Sequence, residues 1–328
     1  MSLEVKKKVF FHFGFPKTGT TFLQELFFPK HSQINYIFDD PYKNPKNNFF
    51  MFPRFNESIW RMNDKEFNNS YSELLDKFNI FYSTLDINKC NILSNETILQ
   101  QSFYKKWKYN FFKGFPRLVS LFNKSNIDLN LFLVIRNQSD IIPSYFYQNN
   151  TYEALMEYSI NADEIIKYFQ TGKNNNTEIS KMIFNNFNYN KLYNYFFSHV
   201  KSDKIKFLLY EDLENNKEKF FSELLNYLEI KTPKTRGLFN NKTHVTKDKL
   251  KYKGLKYLIY RNLKQPKNLY NNFFRKLNSF VKFLTEEGKN EGYKKIKQNS
   301  QLIKKYYRED CLELEKKLHL GIDQFNYF

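Results

Sequence analysis

The sequence predicts an α/β fold in three layers, with helices on both faces of a central parallel sheet of about five strands. Two observations predict it. Short, continuous apolar runs recur along the first two thirds of the chain, and such runs are typical of parallel strands that helices cover on both faces. Helical patterns separate these runs, and alternating strands and helices indicate a doubly wound sheet. Ligands of such a sheet bind at the carboxyl ends of its strands.

The five predicted strands follow one another from the first apolar run onward. They are residues 7–14 (KKVFFHFG), 33–38 (QINYIF), 90–96 (CNILSNE), 130–136 (NLFLVIR) and 204–211 (KIKFLLYE). Predicted helices separate and follow these strands. They cover Thr20–Phe28, which Pro29 ends, parts of Asp64–Leu85, Phe103–Asn123, a segment from Asp140 onward, and Lys217–Leu228.

We expect a single domain over residues 1–328, with its core strands within residues 7–230. Connections much longer than a minimal crossover predict helical insertions at 39–89 and 145–203, of the kind that form lids or binding walls. Residues 240–328 predict a helical extension. Its lysine-rich amphipathic helix, expected to pack across the sheet domain, has these residues among its apolar positions: Ile296, Leu302, Ile303, Tyr306, Leu312 and Leu314.

The composition points to an anionic ligand without identifying it. The net charge of +18 suits nucleotide phosphates, nucleic acid, acidic glycans or a membrane surface. A codon bias towards Lys, Asn, Phe and Tyr explains the same excess equally well. Two cysteines cannot build a disulfide framework, and no apolar run approaches the roughly 20 residues of a membrane helix. The basic start runs into a buried strand with no cleavage site, so we expect a cytoplasmic protein.

The first predicted strand ends in a glycine loop, HFGFPKTGTTFLQ, at residues 12–24. Gly14 and Gly19 have the spacing of the phosphate-binding pattern G-x-x-x-x-G-K-[ST], but Thr20 stands at the lysine position and the lysine is Lys17, inside the loop. A strand–loop–helix context directs backbone N–H groups at a phosphate. Three hydroxyls can add donors: Thr18, Thr20 and Thr21. The simpler alternative is an ordinary turn with a threonine cap.

The second element of a nucleotide site is an arginine where a metal-dependent enzyme has an acid. Enzymes that use nucleoside triphosphates hold magnesium with an Asp, usually at the end of a second strand. The strand NLFLVIRN ends in Arg136 instead. A guanidinium repels a metal ion and binds phosphate bidentately. The sequence therefore predicts a nucleotide with two separate phosphate groups and no metal.

These motifs resemble the sulfotransferases that use 3′-phosphoadenosine 5′-phosphosulfate (PAPS), and bacterial members in particular. FPKTGTTFLQ is similar to their 5′-phosphosulfate loop. LVIRNQSDIIPSYFY is similar to their 3′-phosphate element, in which an arginine and a serine eight residues later clamp the phosphate; here these are Arg136 and Ser144. Gln138 stands where the family often has proline. LSNE, LLYEDL and FFSELLNYLEI also resemble family segments, so the resemblance extends from residue 9 to about 230.

The resemblance implies metal-free, in-line transfer of a sulfuryl group to an acceptor hydroxyl or amine, with 3′,5′-adenosine bisphosphate (PAP) as the product. It implies that Lys17 stabilises the leaving group. The implied donor-binding residues are Pro16, Lys17, Thr18, Gly19, Thr20, Thr21, Arg136 and Ser144. The Arg-Lys-Gly loop that completes the 3′-phosphate site in cytosolic members is missing, and the best substitutes are Lys242 and Thr243.

Two residues are candidates for the catalytic base. Glu96 ends the third predicted strand, and family members use a carboxylate or a histidine in this role. A capping or salt-bridged glutamate is an equal alternative. His12, before the loop, is the second candidate, although a histidine in a strand is more often a hydrogen-bonded core residue.

Two other functions stay open on the sequence. A metal-dependent P-loop kinase or NTPase shares the loop context, and a basic nucleic-acid-binding protein shares the charge and the aromatic content. For a sulfotransferase, the long connections and basic surface favour a bulky or anionic acceptor, such as a polysaccharide or glycolipid. The basic C-terminal helix also allows peripheral contact with a membrane.

Overall fold

The computed structural model describes residues 6–38, 59–95, 98–101, 110–146, 148, 155–156, 158–231 and 290–328. Its centre is a sheet of five strands in the order β2-β3-β1-β4-β5, and all neighbouring strands are parallel. The predicted α/β sheet is therefore confirmed. The strands are β1 Lys7–Gly14, β2 Ile34–Phe38, β3 Cys90–Asn95, β4 Ile127–Ile135 and β5 Ile205–Leu209.

The strand order places β1 between β3 and β4. Gly14 at the end of β1 pairs with Val134 of β4, and Phe13 pairs with Asn95 of β3. At the carboxyl end of β1 the chain continues towards β2 on one side, and at the carboxyl end of β4 it continues towards β5 on the other side. Such a reversal of strand order opens the crevice in which doubly wound sheets bind ligands.

Helices lie between the strands and after them. They are α1 Thr20–Phe22, α2 Asp64–Asn69, α3 Tyr71–Thr84, α4 Ile98–Gln101, α5 Phe111–Lys124, α6 Gln138–Phe146, α7 Ala162–Thr171, α8 Thr177–Asn185, α9 Tyr189–Phe197, α10 Tyr210–Asn215, α11 Lys217–Tyr227 and α12 Ser300–Leu318. Helix α1 continues as a π-helix over Leu23–Phe27 and a 3₁₀ turn over Phe28–Lys30. The helical segment therefore continues past Pro29, which the sequence predicts as its end, because proline fits the first turn of a helix.

Alternate side chains of β1 enter two separate apolar cores. Val9, Phe11 and Phe13 face the larger core, which contains buried residues from helices α3, α5, α6 to α9 and α12. Phe10 faces the smaller core, with residues of the α1 segment and of α11. Both faces of the sheet are thus covered by helices, which explains why its strands are continuously apolar.

Helix α12 packs against α6, α7 and α9. Its fully buried seam consists of Ile303, Tyr307, Cys311 and Leu314, spaced by three and four residues. Two of the predicted apolar positions, Ile303 and Leu314, lie in this seam, whereas three others are only half-buried: Leu302, Tyr306 and Leu312. No helix among the described residues is both long and apolar enough to span a bilayer.

Polar contacts fix α12 on the start of α9. The carboxylate of Asp310 accepts hydrogen bonds from the backbone N–H groups of Asn190, at 3.0 Å, and Lys191, at 3.3 Å. Lys317 Nζ donates to the side-chain oxygen of Asn190 at 2.7 Å. These contacts satisfy N–H groups that the first turn of any helix leaves without intrahelical partners.

We expect Ile303→Ala to lower the free energy of unfolding by about 2–5 kcal/mol, because it removes buried methyl groups and leaves a cavity. Leu302→Ala, at the neighbouring half-buried position, should cost clearly less. Urea unfolding of both variants beside the wild type measures the difference. Equal losses for the two variants would contradict the packing of α12 described here.

Candidate functional site

The loop after β1 has a backbone conformation that binds anions. Lys17 has a φ of +73° and Gly19 a φ of +80°, whereas Thr18 between them has no positive φ. Alternation of left-handed and right-handed residues turns successive N–H groups towards one concave side, a shape known as a nest. A lysine rarely adopts positive φ, so the fold holds Lys17 in a conformation that costs about 1–2 kcal/mol. The backbone of the loop therefore has the shape of an anion-binding site.

The hydroxyl groups of the loop differ in burial, and one of them forms a hydrogen bond within the loop. Thr18 is fully buried, and its Oγ1 donates to the carbonyl of Phe15 at 2.6 Å. This bond uses the proton of the Thr18 hydroxyl, so the hydroxyl does not act as the phosphate donor that the sequence predicts. Thr20 is buried and Thr21 is exposed in the first turn of α1. Pro16 is buried beside them.

Gly19 is required for two reasons. Its φ of +80° lies in the left-handed region, where a residue with a side chain is strained. In addition, a Cβ added there would lie 2.5 Å from Cδ2 of Leu213. Leu213 belongs to α10, which packs over the loop. The loop is thus fixed by the bond of the Thr18 hydroxyl to Phe15 and by side chains of α10 that pack against Gly19.

Arg136 connects the loop to the end of β4. It follows the last residue of β4, and its Nη1 donates to the carbonyl oxygen of Lys17 at 3.0 Å. Its guanidinium carbon lies 4.5 Å from the ring centroid of Tyr210, in a cation–π contact. A guanidinium has five N–H donors, and within the described part of the chain this bond uses one of them. The two predicted phosphate elements therefore meet.

Tyr210 and Glu211 correct the prediction for β5. The strand was expected to extend to residue 211, but it ends at Leu209, and Tyr210 and Glu211 begin α10. A strand would point these neighbouring side chains to opposite faces of the sheet. In the helix, Tyr210 lies against Arg136, while Glu211 Oε1 accepts from the backbone N–H of Asn137 at 2.9 Å. These contacts to the end of β4 favour the helical turn.

The start of α6 is fixed by two buried amide side chains. Asn137 Oδ1 accepts from the backbone N–H of Ser139 at 2.9 Å, as a helix cap does. Gln138 donates from Nε2 to the carbonyl of Phe187 at 3.1 Å and contacts Cys311 Sγ at 3.4 Å. Ser144 lies half-buried farther along α6. Polar residues after a strand were the only signal for these contacts in the sequence.

His12 lies in the core beneath the loop. It is fully buried, its ring stacks on Phe132 with centroids 4.8 Å apart, and its Nδ1 lies 2.8 Å from Ser94 Oγ. Gln24 Nε2 donates to the same oxygen at 2.9 Å. Burial lowers the pKa of His12 to about 3. A neutral ring in this setting favours a packing role over proton transfer, the alternative that its strand position raised.

Three predicted site residues lie outside the described residues: Glu96, Lys242 and Thr243. Ser94 and Asn95, which precede Glu96, end β3 beside β1. Within the described ranges, no group of three or more His, Cys, Asp or Glu side chains is placed to hold a metal ion.

Comparisons with known proteins give one family. Residues 7–298 match the family described as "Sulfotransferase domain". No curated protein matches the chain. Among solved structures, the sulfotransferase domain from the curacin biosynthetic pathway is 13% identical, with 74% of this chain and 81% of that chain covered and a TM-score of 0.39. A sulfotransferase from Alicyclobacillus acidocaldarius is 14% identical, with 71% and 89% covered and a TM-score of 0.40.

We expect Gly19→Ala to lower the free energy of unfolding by more than the backbone strain at positive φ accounts for. Gly172 has a nearly equal φ of +72°, and a Cβ there meets nothing within 4 Å, so Gly172→Ala measures that penalty by itself. It should cost about 1–2 kcal/mol. Gly19→Ala should cost more, because its methyl group also meets Leu213. Similar melting temperatures for the two variants would contradict the close approach of α10.

Acid should weaken the fold through His12. The unfolded chain binds a proton at this residue below pH about 6.5, whereas the native state does so only below about 3. Each pH unit in this window therefore removes up to about 1.4 kcal/mol from the free energy of unfolding. His12→Gln should be less stable than wild type at pH 7, and its deficit should shrink at pH 5. A constant deficit in urea titrations at the two pH values would refute this, with the partly exposed His199→Gln as the control.

Proposed function

Because the chain belongs to the sulfotransferase family, we propose that it transfers a sulfuryl group from PAPS to an acceptor hydroxyl or amine and releases PAP. The observation that supports the proposal is the bond from Arg136 to the carbonyl of Lys17, which brings together the loop and the end of β4, the two cationic elements that we propose to bind phosphate. A donor with phosphate groups at both its 5′ and 3′ positions fits two such elements.

In this proposal the loop binds the 5′ end of the donor. Backbone N–H groups of the nest and of the start of α1 hold phosphate and sulfate oxygens, and the exposed Thr21 hydroxyl adds a donor. Arg136 and Ser144 bind the 3′-phosphate, and Lys242 and Thr243 complete that pocket. We propose one domain over residues 1–328, and the family match over residues 7–298 supports it.

Lys17 has the central role in the proposed reaction. The acceptor oxygen attacks sulfur, a new S–O bond forms, and the bond from sulfur to the bridging oxygen breaks. Its electron pair stays on the 5′-phosphate oxygen, where the Lys17 ammonium neutralises the developing charge. Removing one such fixed donor from an oxyanion site typically lowers the rate about a hundredfold or more.

The proton of the acceptor needs a base, and we propose Glu96 for it. Asn95, the residue before Glu96 in the sequence, ends β3 opposite Phe13 of β1. His12 is assigned a positioning role instead, because its ring is buried and its pKa is about 3. Its contact with Ser94 links β1 to the end of β3, which precedes Glu96 in the sequence.

The acceptor we propose is a carbohydrate or a glycolipid. A net charge of +18 suits an anionic polymer or headgroup. The compartment we propose is the cytoplasm, where both cysteines, buried and without a disulfide, would stay as thiols.

Calorimetric titration of PAP in EDTA tests the donor. Wild type should bind without magnesium, Arg136→Ala should lose most of the affinity, and Lys17→Ala should lose about tenfold or more. Arg136→Lys keeps the charge but loses the planar fork, so we expect it to bind only weakly. Lys77→Ala, which removes one exposed charge on α3, serves as the charge control and should bind as wild type does.

ADP with magnesium is the comparison ligand. Binding of magnesium–ADP with no binding of PAP would overturn the proposal and favour a metal-dependent kinase. Salt-sensitive binding of nucleic acid that does not depend on Lys17 would favour the basic binding protein instead.

A further inference from the structure

The segment after α12 folds back towards the nucleotide crevice. Glu315 near the end of α12 accepts from the backbone N–H groups of Gly321, at 3.0 Å, and Ile322, at 3.1 Å. Gly321 has a φ of +73°, so the chain turns sharply here. A 3₁₀ turn over Ile322–Phe325 follows. We call residues 322–328 the tail; it lies beyond the family match, which ends at residue 298.

The tail reaches the residue next to Arg136. Asn137 Nδ2 donates to the carbonyl oxygens of Phe325, at 3.1 Å, and Asn326, at 2.9 Å. Tyr327 is 1% exposed, and its hydroxyl donates to Glu211 Oε2 at 2.9 Å. Because Glu211 Oε1 accepts from the backbone of Asn137, the tail holds this residue both directly and through α10.

Glu211 is a buried carboxylate whose two oxygens both have partners. Burial raises its pKa, and the hydrogen bonds from Asn137 and Tyr327 and the charge of Arg136 act in the opposite direction. A buried acceptor that loses its donor costs the full desolvation penalty of that atom. Removal of the Tyr327 hydroxyl would therefore leave Oε2 without this donor, and the carboxylate would take up a proton or turn towards Arg136, whose charge acts on it.

The peptide group between Arg136 and Asn137 is also held at its carbonyl. Its carbonyl accepts from the buried hydroxyl of Tyr189 at 2.7 Å. Tyr189 is the first residue of α9. The backbone N–H groups of the next residues of α9 donate hydrogen bonds to Asp310 of α12. The peptide group that follows Arg136 is therefore held at both its N–H and its carbonyl, through contacts that involve the chain beyond residue 298.

We propose that the tail is part of the donor site, and that Tyr327 and Glu211 are positioning residues that direct Arg136 at the 3′-phosphate. This inference rests on the proposed function, because it takes Arg136 as the ligand of that phosphate. It predicts that the tail affects the contribution of the 3′-phosphate to binding and leaves the 5′ end of the donor unaffected.

The test compares two ligands by calorimetry in EDTA. PAP has the 3′-phosphate and adenosine 5′-monophosphate lacks it. The dissociation constant of the monophosphate divided by that of PAP therefore isolates the contribution of the 3′-phosphate to binding. Tyr327→Phe should reduce this ratio about tenfold, while the affinity for the monophosphate stays as in wild type. Glu211→Gln preserves the side-chain volume and should shift the ratio in the same direction, and it provides a second measurement if the first variant does not fold.

Tyr307→Phe is the matched control. Tyr307 is also fully buried and lies on α12, and its hydroxyl donates to the carbonyl of Phe184 in α8 at 2.8 Å and not to a residue of the tail or of α10. It should lower the melting temperature by an amount similar to Tyr327→Phe and leave the ratio unchanged.

Three outcomes are distinguishable. A reduced ratio in the Tyr327 and Glu211 variants, with the Tyr307 control unchanged, supports the proposal. Lower melting temperatures with a wild-type ratio in every variant would show that the tail only stabilises the fold. A wild type that binds PAP no better than the monophosphate would refute the proposed function itself.

Discussion

The whole site depends on one hydrogen bond between a side chain and a backbone carbonyl. Arg136 leaves β4 and donates to Lys17, in the loop that leaves β1. The bond is available because the two strands are neighbours in register, with Gly14 opposite Val134. It also depends on the positive φ of Lys17, since backbone geometry sets the direction of the peptide group. Parallel pairing, loop strain and cation position are therefore parts of one arrangement.

Around this bond, several polar side chains in the core have hydrogen-bond partners, although in the described part of the chain His12 Nε2 has none. His12 with Ser94, Asn137 with the tail, and Gln138 with Phe187 all lie near the carboxyl ends of β1, β3 and β4. Buried polar groups with partners cost little and fix a unique geometry, whereas the same groups without partners are destabilising. The smaller apolar core lies behind His12, so the loop rests on a rigid base.

The sheet was predictable because burial on both faces leaves a direct mark on the sequence. The loop and Arg136 were predictable because glycine spacing and strand ends are local features. Tyr327 was not, since its bond to Glu211 joins positions 116 residues apart and no periodicity marks it. Tyr210 and Glu211 were assigned to a strand because LLYE continues an apolar run; the contacts that make them helical are tertiary. Glu96, Lys242 and Thr243 remain predictions from resemblance.

The contact between the tail and the end of β4 also has a consequence for the order of folding. The bond from Asn137 to the carbonyl of Asn326 spans 189 positions. Contacts of such long range form late, because the chain entropy of closing the loop is lost before the contact contributes. The sheet and α6 can assemble from nearer contacts first. The arrangement of Arg136 would then be among the last features to mature, and the tail could open locally while the sheet stays intact.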